Sequence, residues 1–208
     1  MTTRIDSHQH FWKYDAREYG WIDERMGVLR RDFLPADLEP PMRAAGFDAC
    51  VAVQARHSLD ETAWLLDLAD RAPFVAGVVG WVDLCSPEAR AQLQRFAKHP
   101  KLVGVRHIVQ GEPDDRFMLS GLVTEADWKR WTADQLRPYL DVAFECFGPG
   151  RLMIGSDWPV CTLAGDYGRT MAVVTDYLQG RPGAEREAVL GGNAREFWNL
   201  RSRSESDA

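Results

Sequence analysis

Basic charge is in deficit: 25 Lys and Arg against 31 Asp and Glu in 208 residues leave a formal net charge of −6. Phosphate backbones are held by clustered cations, so this balance argues against a nucleic-acid partner. Long apolar runs are lacking too. None approaches the roughly 20 residues of a membrane span, and no membrane partner is expected. The opening residues 1–6 carry no apolar stretch before the polar His8 and His10, so no secretory leader is expected and the chain reads as cytoplasmic. Cysteines number four (Cys50, Cys85, Cys146 and Cys161). None sits in a C-x-x-C pair, which leaves free thiols, with an incidental disulfide as the alternative. Neither G-x-G-x-x-G nor G-x-x-x-x-G-K-[ST] occurs, so the nucleotide-binding open sheets lose support.

What is present is apolar and aromatic. Hydrophobic residues make up 45%, with eight Trp, five Tyr and nine Phe, enough to bury one sizeable core and too aromatic for a disordered chain. We read residues 1–200 as a single domain and the polar residues 201–208 as a disordered tail. Apolar runs of strand length at 5–10, 49–54, 75–82, 102–108 and 152–157 alternate with helical periods, and 117–123 offers a sixth strand. Helices are expected from Leu34 to Gly46, from Ser58 (with Glu61 closing a capping box), from Ser86, over 134–147 with Pro138 in the first turn, over 170–178 and near 196–200. Strand–helix alternation with continuous apolar strands predicts an α/β fold built on a parallel sheet, either open and doubly wound or closed as a barrel.

Three groups carry chemistry. His8 and His10 lie two apart on a strand, so both imidazoles project from one face and can form half of a metal site. Polar strand-end histidines are the structural alternative. Asp157 follows the apolar run 152–154, at the rim where parallel β/α folds assemble active sites; capping a neighbouring turn is its alternative. Arg106 and His107 alternate faces at the end of another strand. An arginine there can hold a carboxylate or a polarised carbonyl with its planar fork, or it forms a structural ion pair. Gln54 and Arg56, at the end of the second strand, are placed for substrate hydroxyls, with surface hydration as the alternative. The aromatic segment 11–34 is long for a strand–helix connection and is read as a lid, or as a loop packed on the barrel.

Ile5-Asp6-Ser7-His8-Gln9-His10-Phe11-Trp12, Gly104-Val105-Arg106-His107 and Leu152-Met153-Ile154-Gly155-Ser156-Asp157-Trp158-Pro159 together resemble the amidohydrolase-2 branch of the amidohydrolase superfamily, and within it the sugar-lactone hydrolases. The resemblance spans nearly the whole chain in order. It implies a TIM-type β/α barrel, a cytoplasmic hydrolase and a small-molecule lactone substrate opened by water. It assigns His8, His10 and Asp157 to one divalent metal ion, zinc foremost, with metal-free catalysis also open. Asp157 and His107 become the catalytic candidates; Gln54, Arg56, Arg106 and Trp158 become the substrate-binding ones. A metal-dependent decarboxylase of the same branch, and a catalytically impaired shortened relative with a binding role, are the alternatives.

The chain departs from that pattern after Ser120. Further β/α units expected there are missing, no histidine follows His107, and Met118 stands where a lysine is common. The barrel is therefore expected to be incomplete, with five or six strands instead of eight, an open sheet edge near Leu119, reduced stability, and either a homo-oligomer formed through that edge or very low turnover.

Overall fold

The computed structural model describes residues 3–106, 123–124 and 126–200. Four strands, β1 (Ile5–Gln9), β2 (Ala49–Val53), β3 (Val75–Gly80) and β4 (Leu102–Val105), form one parallel sheet in the order β1-β2-β3-β4. Each crossover carries a helix: α1 (Pro35–Ala44), α2 (Leu59–Arg71) and α3 (Ala89–Phe96). α4 (Ala133–Phe147), α5 (Tyr167–Leu178), α6 (Gly183–Glu187) and α7 (Asn193–Phe197) follow.

Alternation along the strands divides the core in two. Cys50, Ala52, Val75 and Val78 join Leu38 and Met42 of α1, Leu65 and Ala69 of α2, and Met171 and Leu178 of α5 in the larger cluster. Ile5, Val51, Val53 and Val79 face the other way and pack with Ala194 of α7 and with Leu200. Burial on both faces explains why β2 and β3 read as unbroken apolar runs.

The helix ends follow local rules. Gly46, just past α1, has φ +80°, where a Cβ would be strained. The Ser58 hydroxyl accepts from the Glu61 N–H at 3.2 Å at the start of α2. The other half of the expected capping box is absent, because the Glu61 carboxylate turns to the backbone N–H groups of Ala55 and Arg56, each at 3.1 Å. Pro138 lies in the second turn of α4, since that helix begins at Ala133 behind the Thr132 cap.

The strand count needs correction. Four strands stand among the described residues, where five or six were expected. The run 152–157 is extended beside β1 without a regular ladder: the Ser7 N–H donates to the Ile154 carbonyl at 2.9 Å, Asp157 N–H to His8 at 2.8 Å, and His10 N–H to Trp158 at 2.6 Å. Gly155 makes the approach possible, since a Cβ there would lie 2.7 Å from the His8 Cβ. Asp157, at φ +56°, breaks the strand geometry. No described residue pairs with the edge of β4 opposite β3. The expected strand at 117–123 (apart from Val123), the edge near Leu119, His107 and the tail 201–208 lie outside the described residues.

Candidate active site

The C-terminal ends of the strands meet at a cavity of about 400 Å³, within the range of small-molecule sites. His8 and His10 come from the end of β1, Ala55, Arg56 and His57 from just beyond β2, and Arg106 from just beyond β4; Asp157 comes from the segment beside β1, with Val160 following. Trp12 and Trp21 supply an aromatic wall, their rings edge-to-face at 6.0 Å.

At the floor three acceptor atoms converge. His8 Nε2 and His10 Nε2 are 3.3 Å apart, and Asp157 Oδ1 lies 3.2 Å from His10 Nε2 and 3.8 Å from His8 Nε2. Partners fix both tautomers. His10 Nδ1 bonds the Val53 carbonyl at 2.9 Å, so it carries the proton and leaves a lone pair on Nε2. An Arg106 guanidinium nitrogen, which can only donate, lies 3.3 Å from His8 Nε2, so this nitrogen too carries a lone pair; a metal ion would take that lone pair in place of the Arg106 N–H. Burial, reinforced by the neighbouring His10, drives the His8 pKa down to about 3, so this imidazole is neutral. Two lone pairs and a carboxylate oxygen facing one another repel unless a cation lies between them. Ligands about 2.0–2.1 Å from a tetrahedral ion stand roughly 3.3–3.4 Å apart, close to the separations here. The donor set therefore fits a divalent metal. The His10 bond to Val53 is the outer contact that orients a metal-bound imidazole.

Asp6 locks this floor together. It is fully buried, and its carboxylate accepts four bonds: from Ser156 N–H at 2.9 Å, Ser156 Oγ at 2.5 Å, Tyr167 hydroxyl at 3.0 Å and His8 N–H at 3.2 Å. Burial outweighs these donors and raises its pKa to about 6. The bonds pin Ser156, and with it Asp157, against β1. Arg106 is held as firmly: its backbone N–H reaches the Gly80 carbonyl at 3.0 Å, and a guanidinium nitrogen the Gln54 carbonyl at 3.0 Å.

Two expected substrate contacts lie elsewhere. Gln54 is fully buried, and its amide donates to the Arg106 carbonyl at 3.2 Å, so it supports Arg106 from below. Trp158 is buried with its ring edge-on to Phe11 at 6.0 Å and to Phe33 at 5.2 Å, away from the cavity. The pleat turns both inward. His57, Val160 and Glu61 were missed by the reading of the sequence. His57 could have been found, since it follows Arg56 at the same strand end; Val160 carries no local signal, and the signal at Glu61 is that of a helix cap.

The amidohydrolase family profile matches this chain in two pieces, residues 5–118 and 113–200. The L-fucono-1,5-lactonase of Burkholderia multivorans is 35% identical over 285 aligned residues, covering 95% of this chain and 96% of the relative. The L-fucono-1,5-lactonase of Burkholderia ambifaria is 31% identical, covering 96% and 97%. A crystal structure of an amidohydrolase from Burkholderia multivorans with bound zinc is 33% identical, with a TM-score of 0.90, covering 96% of this chain and 100% of that one. An alignment of 285 residues exceeds the 208 of this chain, so the relative carries internal residues with no counterpart here. The four-stranded sheet is accordingly an incomplete β/α barrel, and the chain belongs to the amidohydrolase family.

Proposed function

We propose that this protein hydrolyses a small sugar lactone, with six-membered aldonolactones such as L-fucono-1,5-lactone as the substrate class. The carrying observation is the convergence of His8 Nε2, His10 Nε2 and Asp157 Oδ1 within 3.8 Å of one another on the floor of a cavity with an aromatic wall. The names of the two relatives agree with it. A lactone is a cyclic ester, so the reaction needs an activated water, a polarised carbonyl and a stabilised tetrahedral oxyanion.

Asp157 is the proton acceptor for the attacking water; a carboxylate within one hydrogen bond of the water removes its proton as the new C–O bond forms. The same proton then serves the ring oxygen as the ester C–O bond breaks, giving the open hydroxy acid. Arg106, held by Gln54 and Gly80, presents its positive charge beside His8, where negative charge develops on the carbonyl oxygen. Trp21 offers a flat apolar face to the sugar ring. Zinc held by His8, His10 and Asp157 would supply Lewis-acid polarisation of the carbonyl and acidify water. Residence in the cytoplasm and association through an open sheet edge belong to the same proposal, checked by fractionation and light scattering. Among the described residues no helix is long and apolar enough to cross a membrane.

The test is acid release from a panel of aldonolactones in weak buffer, beside absorbance loss on aromatic carboxylates. The first alone is expected. Loss of aromatic carboxylate instead would identify a decarboxylase, and no catalysis of either kind would leave a folded binding protein. Dialysis against a chelator is expected to remove at least nine-tenths of the lactonase rate, and one equivalent of zinc per chain to restore it. Elemental analysis of the protein at each stage provides the check.

Trp21 is 44% exposed and packs edge-to-face on Trp12, so its truncation removes part of a packed ring. Trp21→Ala is expected to raise KM several-fold with a loss of stability of no more than about 3 kcal/mol. Steady-state kinetics and urea denaturation measure the two; a large loss of stability with unchanged KM would make Trp21 a packing residue.

A further inference from the structure

We propose that the Glu18–Arg56 ion pair sets the charge selectivity of the cavity, so that the site prefers an uncharged polyol lactone to one bearing a second carboxylate. This deepens the lactonase reading and rests on it.

Arg56 lines the cavity and is fixed at both ends. Its backbone N–H donates to Glu61 Oε2 at 3.1 Å, and its guanidinium is ion-paired with Glu18 and lies 5.7 Å from the centre of the Tyr19 ring. Tyr19 is itself anchored, its hydroxyl donating to Glu61 Oε1 at 3.3 Å. One buried carboxylate thus ties the strand end carrying Arg56 to the loop carrying Glu18 and Trp21. Arg56 has no freedom to swing out of the wall.

A locked arginine at a substrate wall ordinarily recruits a carboxylate through its fork. Here Glu18 already pairs with one terminal nitrogen of the guanidinium, Nη1, and offsets its charge, and Glu18 is not among the described residues that line the cavity. The other cation of the wall, Arg106, is engaged by the Gln54 carbonyl. Among the described residues, Arg56 and Arg106 face the carboxylates of Glu18, Asp157 and, behind the wall, Glu61. A lactone with a free carboxylate would have to compete with Glu18 for Arg56 and would meet the negative charge of Glu18 behind it. A neutral polyol meets no such opposition and can accept hydrogen bonds from guanidinium nitrogens that Glu18 leaves available. Glu18 is therefore a positioning residue, acting through Arg56.

Glu18 has 49% of its side chain exposed, and Glu18→Gln keeps a hydrogen-bonding oxygen against Arg56 while removing the charge. The experiment compares kcat/KM of the metal-loaded full chain for a neutral aldono-1,5-lactone and for the monolactone of an aldaric acid, which carries a free carboxylate. The unmodified protein is expected to favour the neutral lactone. Glu18→Gln is expected to shift the ratio toward the acidic lactone by about tenfold at low salt, with the shift shrinking as ionic strength rises. Glu18→Asp, which keeps the charge, is expected to stay near the original ratio. A ratio unmoved by Glu18→Gln, in a protein that hydrolyses the neutral lactone, would overturn the inference and leave the lactonase reading standing. An unmodified protein that hydrolyses neither lactone would overturn the reading itself, and this inference with it.

Discussion

Asp157→Asn is expected to lower kcat on lactones by about 10²- to 10⁴-fold, the usual contribution of a positioned general base, while leaving the melting temperature nearly unchanged. The contrast follows from geometry. The Asp157 side chain touches only the site, through His10 Nε2 at 3.2 Å and His8 Nε2 at 3.8 Å. Its backbone φ of +56° suits asparagine as well as aspartate, since both tolerate the left-handed region. Asparagine keeps the shape and one oxygen but cannot take a proton from water. The check is the rate at saturating lactone together with a thermal melt. A variant as active as the unmodified protein would place the chemistry elsewhere in the chain.

Asp6→Ala is expected to have the opposite profile, with a large loss of stability and the site lost as its consequence. The substitution strands two backbone N–H groups and two hydroxyls in a fully buried place. Buried donors left without an acceptor destabilise by about 1–3 kcal/mol each before relaxation, and about 3–5 kcal/mol in total is expected here. Asp6→Asn should be much milder. Oδ2 receives only the hydroxyls of Ser156 and Tyr167, and hydroxyls can reverse and accept from an amide NH₂, while Oδ1 stays an oxygen for the Ser156 and His8 N–H groups. Urea denaturation of the three proteins measures the difference. Equal losses for Ala and Asn would show that the hub depends on negative charge, not on hydrogen-bond count.

The reading of the sequence succeeded where the signal was local. The apolar runs of β2 and β3 are buried on both faces and need no tertiary knowledge to be seen. Gly46 ends α1 through a backbone conformation that its residue type announces. The His8–His10 spacing puts two imidazoles on one face of a strand. It failed where position depends on what lies above. Gln54 follows β2 by one residue and looks solvent-facing until Arg106 is laid across it. Trp158 ends an apolar run beside Asp157, yet its ring is drawn into the core by Phe11 and Phe33. The run 152–157 has strand composition, but Gly155 and the left-handed Asp157 replace a ladder with a few separate bonds. Glu61 reads as a capping residue because that pattern is common; its use as a tie between the aromatic loop and the β2 end exists only once Tyr19 folds over it.

At the centre of the account is a hydrolytic floor that survives the shortening, because its parts come from β1, the adjacent 152–158 segment and the ends of β2 and β4. The most direct measurement is proton release from L-fucono-1,5-lactone by the zinc-loaded full chain in weak buffer, at several protein concentrations. The expected trace rises above spontaneous opening in proportion to protein, saturates with lactone and returns to the spontaneous slope after chelation. A slope equal to the spontaneous one at every protein and metal concentration, from a cooperatively folded sample with zinc bound, would contradict the account.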